Sequence, residues 1–194
     1  MFLLIDNYDS FTYNLYQYLM AFTEVKVVRN DCITIQEIRE MKPEALIISP
    51  GPKRPEDAGI SMEAIRTFAG EIPIFGICLG HQSIGEVFHS PVVYAKSLYH
   101  GKTSPITQLV ADPLFEGMSK VFEGARYHSL VIDPAQVSPE LTVLATSPDG
   151  EIMAVKHRDY LVYGVQFHPE SILTREGKRL VENFVQIAKN KLAS

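Results

Sequence analysis

The chain has 194 residues, 46% of them hydrophobic and 21% charged, with a formal net charge of −5. That is enough for one substantial core, while an acidic balance without a basic cluster excludes nucleic acid as the main partner. No apolar run approaches the roughly 20 residues of a membrane span, Met1–Asp6 lacks the pattern of a secretory signal, and two cysteines cannot form a disulfide framework, so a soluble cytoplasmic protein with no membrane partner is expected.

Phe2–Ile5 is a short apolar run that predicts a buried strand, and a helix follows from about Ser10 to Phe22, with Phe11, Leu15, Leu19 and Phe22 as its apolar positions. Glu24–Val28 reads as a second strand. Ile33–Met41 reads as a helix in which Thr34 precedes Glu37 by three residues, the capping-box spacing. Ala45–Ser49 is a third strand, followed by a Pro/Gly-rich loop over Pro50–Gly59 and a helix over Ser61–Ala69 with another capping-type start. Ile74–Ile77 is a fourth strand, running through Cys78 toward a helix over His81–Phe88. Strand and helix alternating at this interval imply a mostly parallel open sheet with helices on both faces. From Val92 to Phe167 the pattern turns to short strands, Val92–Ala95, Leu141–Thr146, Ile152–Lys156 and Leu161–Val165, which predicts a small antiparallel extension. An amphipathic helix over about Arg175–Lys191, with Leu180, Phe184 and Ile187 on one face, closes the chain. No linker or repeat divides it, so residues 1–194 are expected to form a single α/β domain.

In such sheets ligands sit at the carboxyl ends of the strands. Asp6–Ser10, Pro50–Lys53 and Cys78 all fall there. Cys78 lies at a strand-to-helix bend with Gly76 and Gly80 two residues to either side. A buried structural thiol is the commoner role of a free cysteine. Small neighbours at such a junction instead suit a nucleophile elbow, with a thiol in place of the serine hydroxyl. A thiolate nucleophile needs a base and a group to orient it. Of the six histidines, His168 in Gly164-Val165-Gln166-Phe167-His168-Pro169-Glu170-Ser171 lies just past a strand, and Glu170, two residues on, projects to the same side. Pro169 stiffens the pair. Acyl transfer also needs oxyanion donors. The N–H of Leu79 is one candidate and that of Gly51, in Ser49-Pro50-Gly51-Pro52, another.

Tyr127-His128-Ser129-Leu130 is either pocket lining or a structural turn, and His100-Gly101-Lys102-Thr103-Ser104 reads as a surface loop. Cys32 has no glycine or base context and reads as inert. No metal-ligand spacing and no nucleotide-binding glycine motif occurs, so neither a metal nor a nucleotide is indicated.

Gly76-Ile77-Cys78-Leu79-Gly80-His81-Gln82 together with His168-Pro169-Glu170 resembles the class I (triad) glutamine amidotransferases. The opening Asp6-Asn7-Tyr8-Asp9-Ser10-Phe11-Thr12-Tyr13-Asn14-Leu15 is similar to the branch that serves anthranilate synthase and aminodeoxychorismate synthase, and the similarity spans the chain. The resemblance implies Cys78 as nucleophile, His168 as base and Glu170 as its orienting partner. It implies Gly51 and Leu79 as oxyanion donors, and Gly51, Pro52, Gln82, Ser129 and Leu130 as residues that hold L-glutamine. The implied partner is a chorismate-using synthase subunit, component I of either synthase, to which ammonia is delivered. No cofactor is implied in this chain, and Mg²⁺ is expected in the partner. Two positions depart from the pattern: Lys53 stands where the family often has glycine, and His89-Ser90-Pro91 where it often has two glycines after the helix phenylalanine. Two other readings keep the fold: a stand-alone cysteine hydrolase or peptidase, and a non-catalytic regulatory subunit.

Overall fold

The first strand, β1 (Phe2–Asp6), is apolar on both faces, and the structure, a computed structural model describing residues 1–194, puts it inside a sheet with a neighbour on each side. Its neighbours are β2 (Val25–Arg29) and β3 (Ala45–Ile48), both parallel to it. Next come β4 (Ile74–Ile77) and, parallel to β4, the late strand β11 (Val162–Val165). The sheet continues antiparallel through β10 (Ile152–His157), β9 (Leu141–Thr146), β6 (Lys102–Gln108) and β7 (Val121–Arg126), giving nine strands in the order β2-β1-β3-β4-β11-β10-β9-β6-β7. β5 (Val92–Tyr94) and β8 (Leu130–Ile132) pair as a separate two-stranded sheet.

Period-two alternation divides the core between the two faces. Phe2, Leu4, Ala45, Ile47, Phe75 and Ile77 pack with α1 (Thr12–Met20) and α5 (Gly177–Ala193). Leu3, Ile5, Leu46, Ile48 and Ile74 pack on the opposite face with α2 (Ile35–Met41), α3 (Ser61–Phe68) and α4 (Leu79–Val87). Phe184 of α5 stacks on Phe75 at 4.8 Å between ring centroids, which ties the last helix to the strand leading to Cys78.

Half of the expected capping box at Thr34 forms: its Oγ1 accepts from the Glu37 N–H at 3.1 Å, but the Glu37 carboxylate takes the Thr34 hydroxyl rather than its N–H. The capping start expected at Ser61 is absent. Ser61 is the first residue of α3, and its hydroxyl donates instead to Asn7 Oδ1 at 2.9 Å, a tertiary bond that outcompetes the local one. Phe11 leaves the α1 core face, occupying the turn before the helix. α4 begins at Leu79, two residues earlier than expected and directly after Cys78.

Three strands were not foreseen. β6, β7 and β8 carry too few alternating apolar residues, and β6 contains Pro105. Proline is tolerated because β6 meets β9 only through Thr107 and Gln108, so the stretch around Pro105 pairs on one side alone. The segment read as a surface loop, His100–Ser104, is therefore half strand, and Ser104 is buried.

No helix is long and apolar enough to cross a membrane.

Candidate active site

The chain leaves β1 toward β2 on one side and returns as β3 on the other, which opens a crevice at the carboxyl end of the sheet. Cys78 lies there, one strand over, 5% exposed, with φ 52° and ψ −101°. A side-chain-bearing residue in this region stores strain on the order of 1–3 kcal/mol, and the packing around it enforces the bend. A Cβ on Gly76 would meet the Gly80 carbonyl carbon and oxygen at 2.5 Å, and one on Gly80 would press into the Ile48 carbonyl and lie 2.9 Å from the Ile48 Cβ. The two glycines thus let α4 lie directly on β3 and β4. The Cys78 N–H bonds the Val165 carbonyl at 2.8 Å, joining the elbow to β11.

That strand pairing brings the other half of the site. His168 follows β11 by three residues and is 3% exposed, as is Glu170. Its Nδ1 lies 2.5 Å from Glu170 Oε1, which turns Nε2 away from the carboxylate and leaves it buried without a hydrogen-bond partner. Burial acts to lower the His168 pKa, but the Glu170 carboxylate and the Cys78 sulfur outweigh it and hold it well above the ordinary value. The arrangement favours a protonated His168 beside the sulfur. Thr174 fixes the backbone, donating to the His168 carbonyl at 2.7 Å and accepting from the Ala125 N–H at 2.9 Å. The rings of Tyr127 and Phe11 stand edge-on to the imidazole at 5.0 and 6.1 Å.

Gly51, Pro52, Lys53, Cys78, Gln82, Tyr127, His128, Ser129 and Leu130 line one cavity of about 170 Å³. That is smaller than the roughly 300–1,000 Å³ of drug-sized sites and suits a small metabolite. The Gly51 segment is held against α4 and the β1–α1 turn; a Cβ there would lie 2.6 Å from Asn7 Cβ and 2.9 Å from Leu79 Cδ2. Tyr127–Leu130, left open between lining and turn, is both: it connects β7 to β8 and forms one wall.

Lys53 and His89, the two departures from the family pattern, have φ of 67° and 65°. This is the left-handed region in which glycine is at ease and a side chain is strained. Cys32 is exposed and its thiol donates to Asp31, which raises its pKa.

Four residues take roles at the site that the sequence reading did not give them. Asn7 clamps the loop after β3, its Nδ2 donating to the Ser49 carbonyl at 2.9 Å and its N–H to Ser49 Oγ at 2.8 Å. Phe11 packs on the histidine. Gln166 lies at the sulfur; the same two-residue spacing that linked His168 to Glu170 also places Gln166 on that side and could have found it. Arg126, fully buried behind the cavity, has Nη2 at 2.7 Å from Glu151 Oε2, Nη1 at 3.1 Å from Ser104 Oγ, Nε at 3.0 Å from His128 Nε2, and the Tyr99 ring 3.5 Å away. No local pattern announces it. Burial, with the Arg126 charge added, lowers the His128 pKa to about 3, so that side chain is neutral and its Nδ1–H donates to the Leu130 carbonyl.

Asp149 caps this network. Burial works against its charge, but hydrogen bonds from Ser147 and Tyr99 and the Arg126 charge outweigh it and lower its pKa from 3.8 to about 2. A lowered carboxyl stabilises the fold above its unfolded pKa and loses that contribution as pH falls through the folded one. Stability measured by urea titration should therefore fall less steeply between pH 3.8 and about 2 in Asp149→Asn than in the native chain. Equal slopes would remove Asp149 from the acid response.

Residues 3–188 match the family model described as glutamine amidotransferase class-I. The chain is 55% identical over 187 residues to aminodeoxychorismate/anthranilate synthase component 2 of Bacillus subtilis, covering 96% of each chain. It is 48% identical to aminodeoxychorismate synthase component 2 of Escherichia coli, covering 95% of this chain and 99% of that one. It is also 48% identical to anthranilate synthase component 2 of Pseudomonas aeruginosa, covering 96% and 95%. A crystal structure from Thermoplasma acidophilum, described as that of a GMP synthase subunit, superposes with a TM-score of 0.87 over 99% of this chain and 95% of that one; at 23% identity it speaks to the fold alone. An elbow thiol facing a buried His–Glu pair, on a chain matched by that family model from one end nearly to the other, has one meaning: the protein belongs to the class-I glutamine amidotransferases.

Proposed function

We propose that residues 1–194 act as one cytoplasmic glutaminase unit that hydrolyses L-glutamine and delivers ammonia to a chorismate-using synthase subunit, component I of anthranilate or aminodeoxychorismate synthase. The observation that carries the chemistry is the buried His168–Glu170 pair acting on Cys78, whose side chain lines the cavity bounded by Gly51, Pro52, Gln82, Ser129 and Leu130. The pairing with a synthase rests on relatives that bear the names of such synthases' second components.

In this reading the Cys78 thiolate attacks the side-chain amide carbon of glutamine, and the carbonyl electrons move to oxygen. The N–H of Leu79, which as the first residue of α4 has no intrahelical acceptor, and that of Gly51 receive the oxyanion. The His168 imidazolium gives its proton to the amide nitrogen, ammonia leaves, and a thioester remains. Neutral His168 then takes a proton from water, the hydroxide attacks the thioester, and collapse releases glutamate and restores the thiolate–imidazolium pair. Glu170 holds the Nδ1 proton throughout. Every proton and electron pair is carried by Cys78, His168 and water, so the reading places no cofactor in this chain and leaves Mg²⁺ to the partner. Ammonia in bulk water is largely protonated and a poor nucleophile, which is why delivery to a docked synthase is part of the function.

The test is to combine the chain with a chorismate-using component I, chorismate and either glutamine or an ammonium salt, and to weigh the product. A mass matching anthranilate or aminodeoxychorismate in both arms, with glutamate released only in the first, is the expected result. Glutamine turnover that is equally fast with and without the synthase would favour the stand-alone hydrolase instead.

A further inference from the structure

Gln166 is completely buried, one residue past β11, with its backbone N–H on the Met153 carbonyl at 2.9 Å. Its side chain lies between two residues of the proposed site. Its Nε2 is 3.5 Å from Cys78 Sγ, and its Oε1 is 3.2 Å from Gln82 Nε2. Gln82 Nε2 is also 3.0 Å from the Leu130 carbonyl.

The orientation of each amide follows from what its neighbours can do. A backbone carbonyl only accepts, so the Gln82 atom facing Leu130 is the nitrogen. Its second proton then points at Gln166, which must present its oxygen there. The remaining end of Gln166, the NH₂ group, is left facing the sulfur. The Leu130 carbonyl is itself held from the other side: Arg126 Nε can only donate, so His128 Nε2 accepts and His128 Nδ1–H donates to Leu130 at 3.1 Å. Turning Gln82 would set its oxygen against the Leu130 carbonyl, acceptor against acceptor, and turning Gln166 would set its NH₂ group against that of Gln82, donor against donor.

From this arrangement we propose that Gln166 is a thiolate-holding residue: it donates a hydrogen bond to the Cys78 sulfur, and Gln82 sets the orientation in which it does so. The proposal rests on the reading of Cys78 as nucleophile. A donor aimed at sulfur stabilises the anion more than the neutral thiol and keeps the side chain in one rotamer for attack. The same bonds occupy both Gln82 protons and leave its Oε1 unspent at the cavity wall. A ligand group that bonds Gln82 is thereby linked through one side chain to the nucleophile.

The titratable groups around the sulfur are few. His168 faces it, with Glu170 behind, and Asp9 of the β1–α1 turn acts on both; burial raises the Asp9 pKa. His128 and His81 are close to this group, but burial lowers the pKa of each to about 3, so they stay neutral. Lys53 and Tyr127 line the same cavity as the sulfur.

The experiment is the rate of Cys78 alkylation by iodoacetamide in the full chain, followed by peptide mass from pH 5 to 9, with exposed Cys32 as internal control. Gln166→Glu is nearly isosteric but replaces the donor with an acceptor; about tenfold slower alkylation of Cys78 at pH 7 is expected, with the Cys32 rate unchanged. Gln82→Leu makes no change at a group bonded to the sulfur, yet it frees the Gln166 amide to turn, so it too should slow Cys78 alkylation, by a few-fold. Native rates in both folded variants would overturn the proposal. If Gln166→Glu fails to fold, Gln82→Leu decides alone, and a native rate there overturns it. A native chain whose Cys78 is no more reactive than Cys32 at pH 6 would instead sink the nucleophile reading beneath it.

Discussion

Replacing Cys78 with alanine abolishes glutamine-dependent product formation in the reconstituted complex and leaves synthesis from added ammonia at the native rate. The expected loss is on the order of 10⁴-fold or more, as for other enzymes deprived of their nucleophile. No neighbour can substitute: Cys32 is exposed, with its thiol committed to Asp31. The fold should be untouched, because alanine keeps the Cβ and the backbone strain at φ 52° stays as it was. A glycine at the same place should be equally inactive yet more stable by roughly 1 kcal/mol, since glycine adopts that conformation without strain. Loss of the ammonia-dependent rate in Cys78→Ala would sink the division of labour between two subunits. A residual glutamine-dependent rate within tenfold of native would sink the nucleophile.

The second large effect is on stability. Arg126→Met should lower the unfolding free energy by about 3–5 kcal/mol, the range for breaking a buried ion pair from one side, out of a typical total of about 5–15 kcal/mol. Glu151, 1% exposed, would keep its charge with only the Lys96 N–H for a partner, and Ser104 and His128 Nε2 would each lose a donor. Surface pairs such as Arg39–Glu71 and Arg158–Asp159 contribute little to stability because water screens them, so the difference between removing Arg126 and removing Arg158 measures burial itself. The urea midpoint checks this, and adding Glu151→Gln to Arg126→Met should recover part of the loss by removing the stranded charge. A loss below 1 kcal/mol in the single variant would mean that water reaches Glu151. The consequence extends to the cavity, because Arg126 sets the His128 tautomer and His128 holds the Leu130 wall.

Much of the site was legible before the fold was known, because its chemistry is local. Gly76, Cys78 and Gly80 are packed into five residues, and a strand that bends at once into a helix needs small neighbours whatever surrounds it. His168 and Glu170 share a side by strand geometry alone. Continuous apolar runs at residues 2–5, 45–48 and 74–77 predicted strands covered on both faces and led to the parallel sheet and the crevice at its carboxyl end, while Gly76–Gln82, His168-Pro169-Glu170 and Asp6–Leu15 carried the resemblance to the family.

Local pattern could not place anything that depends on pairing across the chain. β6 and β7 are polar strands that exist because each completes the other's hydrogen bonds. Ser61 has the look of a cap until Asn7 takes its hydroxyl, and Arg126 looks like any surface arginine until Glu151, Ser104, His128 and Tyr99 close around it. Above all, Cys78 and His168 stand 90 residues apart in sequence, and only the parallel pairing of β11 with β4 sets one strand end beside the other. Which atoms could react was written in short stretches of residues. That they meet is a property of the folded chain, because long-range strand pairing and burial depend on partners that no local pattern encodes.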